Sequence, residues 1–265
     1  MLPLPSTLIL TLALAAPVAC AAWKSEANIP KNGTIKSIPP TRLLYDISWN
    51  GKIKAGALDL TFGKKDKRYP NHYIVHGTGG STGWARALYP ATVTYTGLLD
   101  PTNRRPVKFW GFEDERRETV SLFFNFNSHG VSGTSTTTDK SSKKAKTTNR
   151  EFNYPGSLEL FSGLMQVRSM PLANGDKIVM PFHPVSRPYL ARVKVLGREK
   201  HLGRDCIKMD VALQKIGSDM KLKTYKKLKN STVWLSDDAW RVPIEVRAKV
   251  YVGDVRITLT KHDAL

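Results

Sequence analysis

Asp237-Asp238 is an adjacent acid pair between two strand-like runs, and paired carboxylates suit general acid–base work or an oxygen-ligand metal site. A metal would need further oxygen or nitrogen ligands, and an acid–base pair needs surroundings that separate its two pKa values. Neither is visible around this pair. Asp also favours turns because its carboxylate caps nearby N–H groups, and a turn is the plainer reading. The histidines stand at positions 72, 76, 129, 183, 201 and 262, and only His72 and His76 are close in sequence. On a strand these two share a face about 13 Å apart, too far to hold one metal ion between them. The sequence contains no HExxH, CxxC or nucleophile elbow. Gly77-Thr78-Gly79-Gly80-Ser81-Thr82-Gly83 is rich in glycine, but a phosphate loop needs a following Lys-Ser/Thr and a long helix, so a flexible turn is expected. Catalytic residues, a metal site and a cofactor are therefore not expected.

The two cysteines, Cys20 and Cys206, cannot build a disulfide scaffold. Cys206 has no local His or carboxylate to activate it and reads as a small core hydrophobe. Arg168 is more informative, because helical spacing puts it on one face with Leu164 and Met165. A guanidinium enclosed there needs acceptors, and Glu159, Asp237 or backbone carbonyls could supply them. It reads first as an ion pair tying a helix to a sheet, and second as a ligand contact.

Charge adds a further clue. The 265 residues carry 41 Lys+Arg against 22 Asp+Glu, a formal net charge of +19. Asp139 to Arg150 holds five Lys/Arg against one Asp, and Lys215 to Lys229 holds six Lys against Asp219. Such an excess attracts lipopolysaccharide phosphates, anionic lipid head groups or acidic glycans, or else only solvates the surface. Nucleic acid suits the charge but not the compartment that the N-terminus implies. Leu8 to Ala16 is a short apolar run followed by small residues, the pattern of a secretory signal and too short for a transmembrane helix. Cleavage is expected after Ala21, giving a signal peptide over 1–21 and a periplasmic protein. Lipidation of Cys20 is the lesser alternative, which would leave the chain peripheral to a membrane at most.

The elements that must position these groups are mostly strands. Residues 22–42 are rich in Pro, Lys and Asn and read as a flexible arm. From Tyr45-Asp46-Ile47-Ser48-Trp49 the residues alternate as in a half-buried strand, Asn50-Gly51 supplies a tight hairpin turn, and Ala57 to Phe62 alternates back. About eleven such runs recur to Thr260, joined by short links that imply antiparallel neighbours. Ser128 to Arg150 has almost no apolar residue and reads as a mobile basic loop at 128–150. Leu158, Phe161, Leu164, Met165 and Arg168 fall at helical spacing behind Ser157, a suitable N-cap. A shorter helical turn is expected at Gly83 to Leu88. The fold class is thus mainly β, a large curved antiparallel sheet or open β-barrel packed on one α-helix, as a single domain over 43–265.

Several segments resemble a known family, the DUF3108 family of exported bacterial proteins whose function is uncharacterised. The likeness is carried by Tyr45 to Gly51 with Ala55-Gly56, by Leu160 to Arg168 with Pro171-Leu172 and Gly175, by Val195 to Glu199 with Leu202-Gly203, and by Trp234 to Asp238 with Arg241, Pro243-Ile244 and Val252-Gly253. It spans roughly residues 43 to 260, with Glu159 standing where an Asp is expected. The resemblance implies an envelope protein with a mostly antiparallel β fold and implies no reaction. A curved sheet of this kind can enclose an apolar ligand. The expectation is a non-enzymatic binding or carrier protein for an envelope amphiphile or anionic glycolipid, with Tyr45, Trp49, Leu164, Arg168, Trp234, Asp237 and Asp238 as candidate ligand-binding residues. A structural or assembly factor binding a protein or glycan partner is the alternative, and a hydrolase using Asp237 and Asp238 comes third. The carrier reading requires a continuous apolar cavity.

Overall fold

The computed structural model describes residues 23–28, 39–223, 231–249 and 253–265. The expected signal peptide and Cys20 lie outside them, as do 22 and 29–38 of the expected arm. A single helical turn, α1 (Trp23–Glu26), precedes a meander of eight strands. These are β1 (Thr41–Trp49), β2 (Ile53–Phe62), β3 (Tyr73–Ser81), β4 (Ala91–Leu99), β5 (Pro106–Glu115), β6 (Glu118–Asn127), β7 (Gly130–Asp139) and β8 (Ala145–Phe152), with the short helix α2 (Gly83–Leu88) between β3 and β4. Helix α3 (Leu160–Arg168) leads to a second run: β9 (Lys177–Phe182), β10 (Tyr189–His201), β11 (Arg204–Ile216), the two-residue β12 (Leu222–Lys223), β13 (Ser231–Ser236), β14 (Pro243–Lys249) and β15 (Asp254–Ala264).

All the described strands join one antiparallel sheet, ordered β8-β7-β6-β5-β4-β3-β2-β1-β15-β14-β13-β11-β10-β9, with β12 on β11. The two runs are zipped together by the first and last strands: Thr41 opposes Phe62 on one side and Ala264 on the other. The edges β8 and β9 do not pair, so hydrogen bonds do not close the sheet. Local chemistry sets the hairpins. Asn50 and Gly51 take φ of 51° and 68°, the two left-handed residues that match the twist of the β1–β2 ribbon.

The stretch at 128–150 is not a loop. It forms β7, the 139–145 connection and most of β8. Threonine is β-branched and favours strands without an apolar partner, and the opposed Thr136 and Thr147 hydroxyls bond across the pair at 2.8 Å. Polarity here belongs to a sheet edge, where Lys146 and Arg150 of β8 discourage pairing with another chain. The arm is also corrected in part. Trp23 is 2% exposed, and its indole N–H donates to the Met220 carbonyl at 2.8 Å. A segment lacking apolar periodicity is anchored by one large ring.

The glycine run at 77–83 is likewise no turn up to Ser81, since Gly77 to Ser81 continue β3. A Cβ on Gly77 would lie 3.2 Å from the Phe161 ring, and one on Gly97 2.9 Å from it. These glycines thus seat Phe161 of α3 directly on the sheet backbone. The cap of α3 is Glu159 rather than Ser157. The Glu159 carboxylate accepts the N–H groups of Phe161 and Ser162 at 2.6 Å each, and the Ser162 hydroxyl accepts the Glu159 N–H at 2.9 Å. This is a capping box with the usual residue roles exchanged. Ser157 instead donates its hydroxyl to the Tyr154 carbonyl.

Candidate functional site

Alternation along each strand decides what the interior sees, because every second side chain points to the same face. Leu58 and Leu60 of β2, Val93 and Tyr95 of β4, Ala191 and Val193 of β10, Met209, Val211 and Leu213 of β11, and Val233 and Leu235 of β13 all face one cavity of about 390 Å³. Strands from both meanders therefore surround the same space. Leu160, Phe161, Leu164 and Val167 of α3 form another part of its wall, and β1, β3, β9, β14 and β15 contribute the rest. Gly163 lets the helix approach β9, since a Cβ there would lie 2.8 Å from the Phe182 ring. The wall is apolar almost throughout.

Two tyrosines carry the polar atoms of that wall, and both are engaged. The buried Tyr45 hydroxyl donates to the Pro243 carbonyl at 3.1 Å, and burial raises its pKa. The Tyr95 hydroxyl donates to the Glu113 carboxylate at 2.5 Å; burial, then this bond, raises its pKa. Among the described residues, the lining includes no carboxylate, imidazole, thiol or amine. A lining of this kind is chemically suited to apolar groups, which it would shield from water.

The structure divides the expected site residues. Tyr45 and Leu164 line the cavity. Arg168 lies just behind it at the end of α3, 1% exposed, with its guanidinium 5.5 Å from the Phe62 ring. Its Nη2 donates to the Trp240 carbonyl at 2.6 Å, so the acceptor is a carbonyl rather than Glu159 or Asp237. Burial lowers its pKa to about 10. Arg241 reinforces this junction by donating to the carbonyls of Arg168, Met170 and Pro171.

Asp238 accepts the N–H groups of Trp240 and Arg241 at 2.9 Å each and the Ser236 hydroxyl at 2.8 Å. It is the turn cap that holds this junction. Asp237 pairs with Arg198 at 3.2 Å. Neither aspartate lines the cavity, and neither does Trp49. Trp234 faces the other side of the sheet, between Val233 and Leu235, which face inward. There it stacks on His201 at 4.1 Å and donates to Glu199 at 2.8 Å, flanked by Lys208 and Arg247. Cys206 is buried, and desolvation raises its thiol pKa, as suits a core position.

Most cavity residues escaped the sequence reading, although the alternation that predicted strands also marked their inward positions. What it could not say was which faces of which strands meet. A second concavity, of about 500 Å³, was missed as well; it gathers Arg150 and His183 with lysines from distant segments.

At the level of fold the geometry agrees with a solved structure. The crystal structure of a beta-barrel-like protein of the domain of unknown function DUF1849, from Brucella abortus, is similar with a TM-score of 0.55 at 10% identity, covering 87% of this chain and 99% of that one. A lipoprotein candidate from Parabacteroides distasonis matches with a TM-score of only 0.32 at 8% identity, covering 89% of this chain and 100% of that one. No curated protein matches the sequence. The model of the protein family of unknown function DUF3108 matches residues 44–260. The chain belongs to the DUF3108 family.

Proposed function

We propose that the protein is a non-enzymatic binding or carrier module of the periplasm, taking an envelope amphiphile or anionic glycolipid. In this reading the sheet curls around α3, the apolar chain of the ligand enters the space between them, and the basic surface meets the anionic head group. The observation that carries it is the cavity of about 390 Å³, lined by apolar side chains from both meanders and by α3. Folding normally fills such a space, because an empty apolar volume forfeits contacts on all sides. A cavity of this size falls in the range of small-molecule sites.

Native mass spectrometry of the protein purified from its own envelope, followed by solvent extraction, tests the reading. A lipid or glycolipid bound near one-to-one is the expected result. A clean apo mass, both as purified and after incubation with envelope lipids, overturns it.

One observation favours an assembly factor as a second reading. Around α2, Trp84, Leu88 and Tyr89 are 83%, 60% and 77% exposed, an apolar surface suited to a protein partner. The cavity weighs more, since the assembly reading leaves its interior without a purpose.

A further inference from the structure

The second concavity lies away from the first and shares no lining residue with it. Five cationic residues from five places in the chain surround it: Lys24 of α1, Arg150 of β8, Arg187 between β9 and β10, Lys215 of β11 and Lys223 of β12. Among the described residues, Glu151 is the single carboxylate in its lining, and Asp219 pairs with Lys223 at 3.8 Å. Among the described residues no carboxylate forms an ion pair with Arg150, Arg187 or Lys215. Gathering five like charges around so few counter-charges costs Coulomb energy that a solvated, scattered arrangement would avoid. Lys215 registers that crowding: Arg187 foremost, then burial, Lys223 and Arg150, lower its pKa.

Two buried polar atoms complete the picture. The Arg150 Nε and the His183 Nδ1 have no hydrogen-bond partner, although His183 is only 2% exposed. Buried N–H groups of this kind are normally satisfied, and an exception calls for an occupant. A neutral imidazole can carry its proton on Nδ1 and donate it to an oxygen.

We propose that this basic pocket is a binding site for a phosphate-type oxyanion. Several cations converging from separate elements suit an anion with more than one charge and several oxygen acceptors, and the arginine forks match its geometry. The aromatic ring in the wall, Phe152, is buried and offers no base a stacking face, which sets this pocket apart from a nucleic-acid groove. Inorganic phosphate and the phosphomonoester of a lipid head group present the same chemistry. The site rests on residues distinct from those of the apolar cavity, so either proposal can fail while the other stands.

Titration calorimetry at low salt tests it on the intact protein, with inorganic phosphate and with short-chain phosphatidic acid below its micelle concentration as probes. Saturable one-site binding is expected, weakening as sodium chloride is raised. Arg187→Gln and Lys215→Gln should each weaken it roughly tenfold, whereas Lys65→Gln, an exposed change with the same loss of charge, should leave it unaltered. Equal affinity for the two probes identifies the free anion as ligand, and much tighter binding of the lipid identifies a head group; both support the site. Phosphate binding no tighter than chloride overturns it. So does a Lys65→Gln effect as large as the other two, because attraction would then be diffuse.

Discussion

If the apolar cavity takes a hydrocarbon chain, affinity must depend on chain length in a way set by its volume. At roughly 30 Å³ per methylene-sized group, about the share of one water molecule in the liquid, a space of about 390 Å³ holds about thirteen. Moving each methylene out of water contributes about 0.8 kcal/mol. Immobilising a carbon–carbon rotor opposes this by about 0.4 kcal/mol, judged from the entropy of a buried lysine stem. The balance is roughly twofold in Kd per methylene for a chain held rigid, and about fourfold for one left fluid.

Saturated monoacylglycerols of about six to about sixteen carbons isolate this term, because their neutral head group avoids the basic surface. Displacement of an environment-sensitive fluorescent fatty acid reads the affinities. A steady gain per methylene that levels near thirteen carbons is expected. Affinity independent of chain length would refute the reasoning. A gain continuing unbroken to the longest chain would show that the chain lies along an open surface instead.

Three further predictions concern the frame and the cavity. Ala191→Phe places a ring in empty space, so it should weaken monoacylglycerol binding about tenfold while leaving the melting temperature unchanged or higher; a marked loss of Tm would mean that the wall is already full. Burial pushes the Glu159 carboxyl up to about 7 against the two N–H groups that hold it down, so folding takes up a proton between the unfolded value of 4.5 and that figure. Stability should therefore fall by about 3 kcal/mol as pH rises across this window and stay level above it, and Glu159→Gln should flatten that slope in chemical denaturation; an unchanged slope assigns the proton elsewhere. Asp238→Ala removes the acceptor of two turn N–H groups and should cost about 1–3 kcal/mol of stability without altering ligand affinity, whereas lost binding in a fully folded variant would return Asp238 to the site.

Much of the fold was legible because its signals are local. The period-two alternation of Tyr45 to Trp49, the Asn50-Gly51 turn and the helical spacing of Leu160 to Arg168 each act within a few residues. So does the preference of Asp for turns, which gave the role of Asp238 correctly. Polar segments were harder. The threonines of β7 and β8 carry the composition of a loop, because an edge strand can form with little apolar burial. The glycines of β3 suggest flexibility in sequence, because nothing there announces that Phe161 will press on Gly77.

The sequence by itself determined that strands dominate, that they run antiparallel, which side chains alternate inward, and that the surface is strongly basic. The tertiary structure decided the pairing of β1 with β15, strands more than two hundred residues apart along the chain, which joins the two meanders. That pairing brings Leu60, Met209 and Leu164 to one cavity. It also decided that Lys24, Arg150, Arg187 and Lys215 share a pocket. The physical reason is that inward and outward are fixed residue by residue, whereas which inward faces meet depends on the closure of long loops and on backbone hydrogen bonds that carry no side-chain signature.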